Sequence, residues 1–264
     1  MVKLSMKRGL PAASADSRAR VLWISLLVSA ICALLVSTTY VLLGPKIDAN
    51  LAAERQARLD AMIATLPGLE DLIRQTGADT LQSVVVDLRT GTEAEDSPDI
   101  LEPEVLTASD ETSSEIAPTA DIADLGRRPD FAEIFVLRTG RDLALAVFPV
   151  YGKGYQSTIK AYVALEGDLN TIAGFTVIEQ GETPGLGANI GEAEWQAKWP
   201  GKELTDADGV LRIEVVRGQA QTSFEVDGVT GATRTGDGIS SMMQFWFGPD
   251  GYGRVLEAMR SGEL

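Results

Sequence analysis

The chain has 264 residues, enough for one sizeable domain and an appendage. It contains no histidine and one cysteine, Cys32, so it cannot by itself build a Ser-His-Asp or Cys-His catalytic system, a His-ligated metal or haem, or a four-cysteine iron–sulfur cluster. Its 38 acidic side chains outnumber 23 basic ones, giving a net charge of −15, which argues against nucleic acid as a partner.

The first 43 residues predict a membrane anchor. Residues 1–20 form a basic tail, and residues 21–43 are an apolar run that, as a helix rising ~1.5 Å per residue, covers the ~30 Å hydrocarbon core. A cleaved signal peptide usually has a shorter apolar region of ~7–15 residues, so we favour a retained transmembrane helix. The positive charges before it predict a cytoplasmic N-terminus and, in a bacterium, a single-pass inner-membrane protein whose main domain is periplasmic.

Residues 44–82 are interpreted as an amphipathic helical connector. Apolar positions such as Ile47, Leu51 and Leu66 recur among charged residues, as on one face of a helix. Pro67-Gly68 is expected to end that helix. The main domain is then expected over residues 83–264.

The main domain alternates short apolar runs with turn residues, a pattern typical of strands. Residues 89–130 are acidic and contain Pro, Ser and Thr with little periodicity, so we expect a loop or insertion that is mobile unless a partner orders it. The strands expected on either side of that segment are Val84–Leu88, Glu133–Leu137, Leu143–Val150, Ser157–Leu165 and Ile172–Glu179.

The C-terminal third mixes further strands with helices. Trp195 and Trp199 lie four residues apart, which predicts one helical face, and two more strands are expected over Leu211–Val216 and Ser223–Val226. Helices are expected on both sides of Gly248-Pro-Asp-Gly251. The fold class predicted is therefore α+β, with a largely antiparallel sheet and flanking helices.

The segment Thr230-Gly-Ala-Thr-Arg-Thr235 is the candidate functional motif. It places three hydroxyls and a glycine directly before a predicted helix, where unpaired backbone N–H groups can bind an anion such as a phosphate. Ordinary helix capping by Thr or Asp explains the same residues, and Thr235 or Asp237 would be the cap. A second segment, Thr183-Pro-Gly-Leu186, predicts a type II turn, which by itself needs no function.

Several motifs occur together and in a fixed order. The remaining motifs are Gly181–Gly187, Gly167–Ile172, Trp195–Lys202, Glu225–Gly228 and Phe245–Gly248. With Thr230-Gly-Ala-Thr233, they closely resemble the FMN-binding domain family and, within it, the C subunits of Na⁺-translocating NADH:quinone reductases. The resemblance is densest over residues 150–264.

The resemblance implies a covalent flavin. Thr233 occupies the position at which the family carries FMN through a phosphoester bond. The backbone around that phosphate would be supplied by Thr230, Gly231 and Ala232. The ring would be lined by Glu182, Thr183, Leu186 and Gly187. Arg217 stands where the family usually has Lys, near the phosphate or the ring, although an exposed arginine at the end of a strand explains it equally well.

The resemblance also implies partners. It predicts a membrane-anchored relay for single electrons, not catalytic alone, between an iron–sulfur centre in small membrane subunits and a second flavin on a large membrane subunit. An NADH-oxidising subunit and a FAD-dependent FMN transferase for maturation complete the expected partners. Two alternatives remain open: the G subunit of the ferredoxin:NAD⁺ oxidoreductase complex, and a membrane-tethered scaffold without cofactor. No metal site or catalytic residue is expected on the chain.

Overall fold

The computed structural model describes residues 22–34, 37–38, 81–98 and 100–264. The chain divides into two units, Met1–Asp60 and Ala61–Leu264. In the first unit, residues 22–34 and 37–38 are helical, and large apolar side chains such as Leu22, Trp23 and Leu26 are exposed. Over the described residues no helix is both long enough and apolar enough to cross a membrane. The predicted transmembrane helix over 21–43 lies partly outside the described residues, and most of the predicted connector over 44–82 lies outside them.

The second unit contains ten strands in its described part. They are β1 (Leu81–Asp87), β2 (Thr92–Glu93), β3 (Ser113–Glu115), β4 (Arg127–Pro129), β5 (Phe131–Thr139), β6 (Asp142–Lys153), β7 (Thr158–Glu166), β8 (Ile172–Glu179), β9 (Glu214–Val216) and β10 (Glu225–Asp227). Six of them form one antiparallel sheet in the order β2-β1-β5-β6-β7-β8. The predicted α+β class with a largely antiparallel sheet is confirmed.

Four α-helices accompany these strands in the described part of this unit. They are α1 (Pro103–Leu106), α2 (Ala193–Gln196), α3 (Thr233–Trp246) and α4 (Gly253–Ser261), and a 3-10 helix spans Gly187–Gly191. Helix α3 buries Ile239, Met242, Met243 and Trp246, whose spacing makes one apolar face. That face lies on β6, since the Trp246 indole N–H donates to the Tyr151 carbonyl at 2.6 Å. The turn at 248–251 separates α3 from α4, as predicted.

Three expectations from the sequence need correction. Residues 89–130 are not one long loop, because they contain β2, α1, β3 and β4, and β3 pairs with β4. Leu81 and Gln82, assigned to the connector, belong to β1, where they pair with β5. The helix expected to carry both Trp195 and Trp199 is a single turn that ends at Gln196. Both indoles nevertheless pack against Phe175, and the Trp199 ring stacks on it at 4.2 Å between ring centroids.

Candidate functional site

Helix α3 begins inside the candidate motif. Ala232 is the N-cap residue and Thr233 is the first helical residue, and no side chain caps this end of the helix. The expectation that Thr235 or Asp237 caps the helix is therefore wrong, because both lie within it. Gly231 has a φ of +76°, a left-handed conformation that glycine adopts without strain. The N–H groups of the first turn consequently face away from the helix without a side-chain acceptor, the arrangement that suits an anion.

The three threonines of the motif have different surroundings. Thr230 and Thr233 are exposed, whereas Thr235 retains only 2% of its accessible surface. The Thr235 hydroxyl donates to Glu182 Oε2 at 2.7 Å. The exposed hydroxyl at the start of the helix therefore belongs to Thr233, and that of Thr235 is already used inside the domain.

Glu182 is a buried carboxylate that joins the motif to a neighbouring loop. Its side chain is 5% exposed, and Oε1 accepts the backbone N–H groups of Gln156 and Ser157 at 2.9 and 3.0 Å. Oε1 also accepts the Ser157 hydroxyl at 3.2 Å, and Oε2 accepts the Tyr155 N–H at 3.3 Å. Burial pushes the pKa of Glu182 upward, but the hydrogen bonds from Thr235, Gln156 and Ser157 together outweigh it and hold the pKa below its ordinary value. The group is thus ionised and its acceptor positions are occupied.

The turn that follows Glu182 contacts the motif through Leu186. The Leu186 N–H donates to the Thr183 carbonyl at 3.1 Å, and Gly185 has a φ of +76°, so the predicted type II turn is confirmed. Leu186 is 44% exposed, and its Cδ2 lies 3.0 Å from the point where Gly231 would carry a Cβ. The structure thus places an exposed apolar side chain against the glycine of the motif.

Arg217 reaches the motif from another direction. Strands β9 and β10 are parallel and pair Val216 with Asp227, and the Gly228 N–H donates to the Gly218 carbonyl at 3.1 Å. These contacts form a pocket of about 310 Å³ whose lining includes Arg217, Thr230, Gly231, Ala232 and Thr233. Arg217 and Thr233 therefore line the same pocket, although they are sixteen positions apart in sequence.

Asp227 holds the chain beside this pocket through its carboxylate and its backbone carbonyl. Its carboxylate accepts the Ala220 N–H at 2.7 Å and forms an ion pair with Lys198 at 3.2 Å. The hydrogen bond from Ala220, with the contribution of Lys198, lowers the pKa of Asp227. Its backbone carbonyl accepts the Trp195 indole N–H at 2.9 Å, which ties the short helix α2 to the end of β10.

Sequence reasoning missed the pairing of Tyr155 with Arg234. The Arg234 guanidinium lies over the Tyr155 ring, 5.2 Å from its centroid, and the Tyr155 side chain is 50% exposed. Tyr155 belongs to the loop held by Glu182, and Arg234 directly follows Thr233. No local pattern relates residues 79 positions apart, so only the fold could reveal this contact.

The residues present fit a phosphate-linked flavin. The uncapped first turn of α3 supplies N–H donors, Arg217 supplies a cation in the same pocket, and Leu186 and Tyr155 supply exposed apolar surface nearby. A Cβ at Gly231 would press on Leu186 Cδ2 at 3.0 Å, and the positive φ of this residue also favours glycine. The donor set thus matches an anion attached to a flat apolar ring.

Comparison with known proteins identifies the family of this domain. Residues 154–248 match the model of the FMN-binding domain family. The chain is 34% identical over 260 residues to the C subunit of the Na(+)-translocating NADH-quinone reductase of Pseudomonas aeruginosa, covering 95% of this chain and 99% of that protein. It is likewise 34% identical over 260 residues to the C subunit of the Vibrio parahaemolyticus reductase, covering 96% and 99%.

A solved structure gives the same result at the level of the fold. The crystal structure of Shewanella oneidensis NqrC superposes with a TM-score of 0.65 at 33% identity, covering 73% of this chain and 88% of that one. Relatives of this identity, matched over nearly their whole length, decide between the alternatives that the motifs left open. The chain belongs to the family formed by the C subunits of Na⁺-translocating NADH-quinone reductases.

Proposed function

We propose that the protein is a flavin-carrying subunit of a Na⁺-translocating NADH:quinone reductase, with FMN joined to Thr233 by a phosphoester bond. The single observation that carries this proposal is the exposed Thr233 hydroxyl at the uncapped start of α3, in one pocket with Arg217. FMN, when bound, supplies one-electron redox chemistry that the side chains lining this pocket do not offer at neutral pH. The subunit relays electrons and is not an enzyme by itself.

The covalent step involves only the Thr233 side chain of this protein. Thr233 Oγ1 forms a bond to the phosphorus that bears the riboflavin part of FAD, and the bond from that phosphorus to the bridging oxygen breaks. AMP leaves, and the hydroxyl proton passes to the FAD-dependent FMN transferase or to solvent. The N–H groups of the first turn of α3 and the backbone of Thr230, Gly231 and Ala232 orient the remaining phosphate charge.

The other residues around the pocket bind and orient the ring. Leu186 offers apolar surface, and Thr183 and Gly187 complete the loop that we assign to the ring. Arg217 supplies positive charge, which favours the reduced, anionic form of a flavin. Glu182 belongs to the same loop, but its carboxylate accepts hydrogen bonds from four residues of this chain. Its side chain therefore supports the loop from inside the domain.

The partners and the location are proposed from the family. Residues 21–43 serve as a single anchor in the bacterial inner membrane, with residues 1–20 in the cytoplasm and the flavin domain in the periplasm. The NADH-oxidising subunit supplies electrons to an iron–sulfur centre in small membrane subunits. This centre reduces the flavin of this protein, which passes the electron to a second flavin on a large membrane subunit. The apolar, exposed side chains of helical residues 22–34 are compatible with contact to lipid or to such subunits.

Mass spectrometry of the protein made with and without the transferase tests the proposal. We expect one FMN moiety on the peptide that contains Thr233, and flavin fluorescence that stays with the denatured polypeptide. Thr233→Val should abolish the label, whereas the matched variant Thr230→Val, at the other exposed hydroxyl of the motif, should keep it. Flavin on Thr230 or Thr235, or none after co-expression, would contradict the assignment.

A further inference from the structure

The motif presents two threonines to opposite sides of α3. A helix turns about 100° per residue, so residues two apart, such as Thr233 and Thr235, point roughly 200° away from each other. Thr235 points inward and is 2% exposed, and Thr233 points outward. Whatever holds Thr235 inside the domain consequently sets the direction of Thr233.

Glu182 is the group that holds Thr235. The distance from the Thr235 hydroxyl to Glu182 Oε2 is 2.7 Å, and the same carboxylate binds three successive backbone N–H groups of the loop 155–157. Hydrogen bonds to an ionised acceptor are about twice as strong as neutral ones, so this is a firm connection between loop and helix. Among the described residues, no Lys or Arg forms an ion pair with this carboxylate.

The connection has little room to adjust. A Cβ on Gly187 would lie 2.5 Å from Thr235 Oγ1 and 2.9 Å from Glu182 Oε2. A Cβ on Gly154 would lie 2.7 Å from Glu182 Oε1. The backbone at two glycines thus approaches the carboxylate closely, which leaves the Glu182–Thr235 hydrogen bond little space for rearrangement.

We propose that Glu182 is a positioning residue that selects Thr233 as the flavin acceptor by anchoring Thr235 inside the domain. The inference rests on the proposed function. This hydrogen bond acts in two ways. It occupies the Thr235 hydroxyl, so that this hydroxyl is not available as a flavin acceptor, and it fixes the rotation of the first turn of α3 so that Thr233 faces solvent. Glu182 makes no hydrogen bond to the hydroxyl of Thr230 or of Thr233 in the structure, so it acts through Thr235.

The test compares Thr235→Val with Thr235→Ser in the full-length, flavin-free protein. Val keeps the shape and removes the donor, whereas Ser keeps the donor. With transferase, FAD and Mg²⁺, we expect Thr235→Val to slow the labelling of Thr233 about tenfold or more, since small misplacements of a reacting group cost factors of this size. Thr235→Ser should label at close to the wild-type rate. Glu182→Gln should slow labelling in the same direction as Thr235→Val.

A matched control is available at the other end of β8. The Thr171 hydroxyl donates to Asp168 Oδ2 at 2.6 Å, a bond of the same chemistry in the hairpin between β7 and β8. Thr171→Val should therefore leave the labelling rate at Thr233 unchanged. A Thr235→Val rate within twofold of wild type would overturn the inference, as would equal slowing by Thr171→Val.

A measurement without flavin separates this inference from the proposed function. Hydrogen exchange of the peptide containing residues 230–236 should be faster in Thr235→Val than in wild type, and should be restored in Thr235→Ser. Failure to label wild-type protein would contradict the proposed function, whereas unchanged exchange in Thr235→Val would contradict the anchoring by Glu182.

Discussion

Arg217 shows how a single residue acquires a role through its surroundings. It follows β9, is exposed, and by sequence alone is as well explained by solubility as by function. The parallel pairing of β9 with β10 brings it into the pocket lined by Thr230 and Thr233. The backbone of two three-residue strands thus places Arg217 in the pocket to which we assign the flavin phosphate.

We expect Arg217→Gln to lower the reduction potential of the bound flavin. Removing the positive charge destabilises the anionic reduced form, by on the order of 1 kcal/mol for an exposed group screened by solvent. Potentiometric titration of the flavinylated protein measures the effect. Arg141→Gln, an equally exposed arginine in the turn between β5 and β6, is the matched control and should leave the potential unchanged. The same potential for both variants would remove Arg217 from the site.

The pKa of Glu182 makes a second prediction about a single residue. Because its folded-state pKa lies below its ordinary value of 4.5, Glu182 stabilises the fold above that pH and loses this contribution as the pH falls through the folded-state pKa. Glu182→Gln should lower the unfolding free energy at pH 7 by about 1–3 kcal/mol. The NH₂ group of the glutamine is a donor, so it cannot accept the hydrogen bonds that the carboxylate oxygen in its place accepts. Urea unfolding should show this difference as constant above about pH 5 and shrinking as the pH falls from there through the folded-state pKa. A difference for Glu182→Gln that stays constant down to low pH would show that its charge is not what stabilises the fold.

At the scale of elements, helix α3 connects the site with the sheet. Its first turn carries Thr233, its middle packs on β6, and its end donates the Trp246 indole N–H to the Tyr151 carbonyl. Two glycines, Gly236 and Gly238, lie in its interior, where glycine costs about 1 kcal/mol relative to alanine. Close approach to the backbone at Lys153 explains the glycine at 238, whereas among the described residues no backbone atom outside the helix lies that close to the Cβ position of Gly236.

We expect Gly238→Ala and Gly236→Ala to change stability in different ways. A Cβ at Gly238 would lie 2.5 Å from the Lys153 carbonyl oxygen, a backbone atom, so the helix must move, at a cost of about 1–3 kcal/mol. A Cβ at Gly236 would lie 3.1 Å from Val215 Cγ1, a side-chain atom that needs to give by only a few tenths of an ångström, and alanine adds helix propensity, so Gly236→Ala should destabilise the protein less than Gly238→Ala does. Urea unfolding of the flavin-free variants measures both. Equal stability of the two variants would mean that α3 does not dock on Lys153 as described.

The elements that the sequence predicts well are those with strong local patterns. β8 has the bounds expected from its sequence, and β6 and β7 lie within a few residues of theirs. Apolar and polar residues alternate along β7, whereas β6 and β8 are largely apolar runs bounded by turn residues. The parallel pairing of β9 and β10 is not predictable in this way, since a pairing between distant three-residue strands leaves no periodic signal. The inward position of Glu182 is likewise missed, because the hydroxyl and N–H donors that it satisfies come from residues 155–157 and 235.

At the scale of the whole molecule, the acidic, histidine-free composition limits how electrons can enter. The only cysteine, Cys32, lies in the N-terminal helical segment, so the described part of the flavin domain offers no thiolate or imidazole to hold a second redox centre. The domain also has no Gly-x-Gly-x-x-Gly segment of the kind that holds the pyrophosphate of a nicotinamide nucleotide. These features favour the proposal that the flavin exchanges electrons with a redox partner outside this chain.

We accordingly expect the flavinylated protein, purified without other subunits, to be inert toward NADH. Because the sequence has no Gly-x-Gly-x-x-Gly segment to hold the nucleotide, we expect hydride transfer to lack the alignment of reacting atoms that makes it fast. Anaerobic mixing with excess NADH should leave the flavin absorbance unchanged, whereas dithionite, which delivers single electrons without a binding site, should bleach it. The dithionite reaction is the control for an accessible and intact flavin. Rapid, stoichiometric bleaching by NADH alone would contradict the relay role and make this chain a dehydrogenase in its own right.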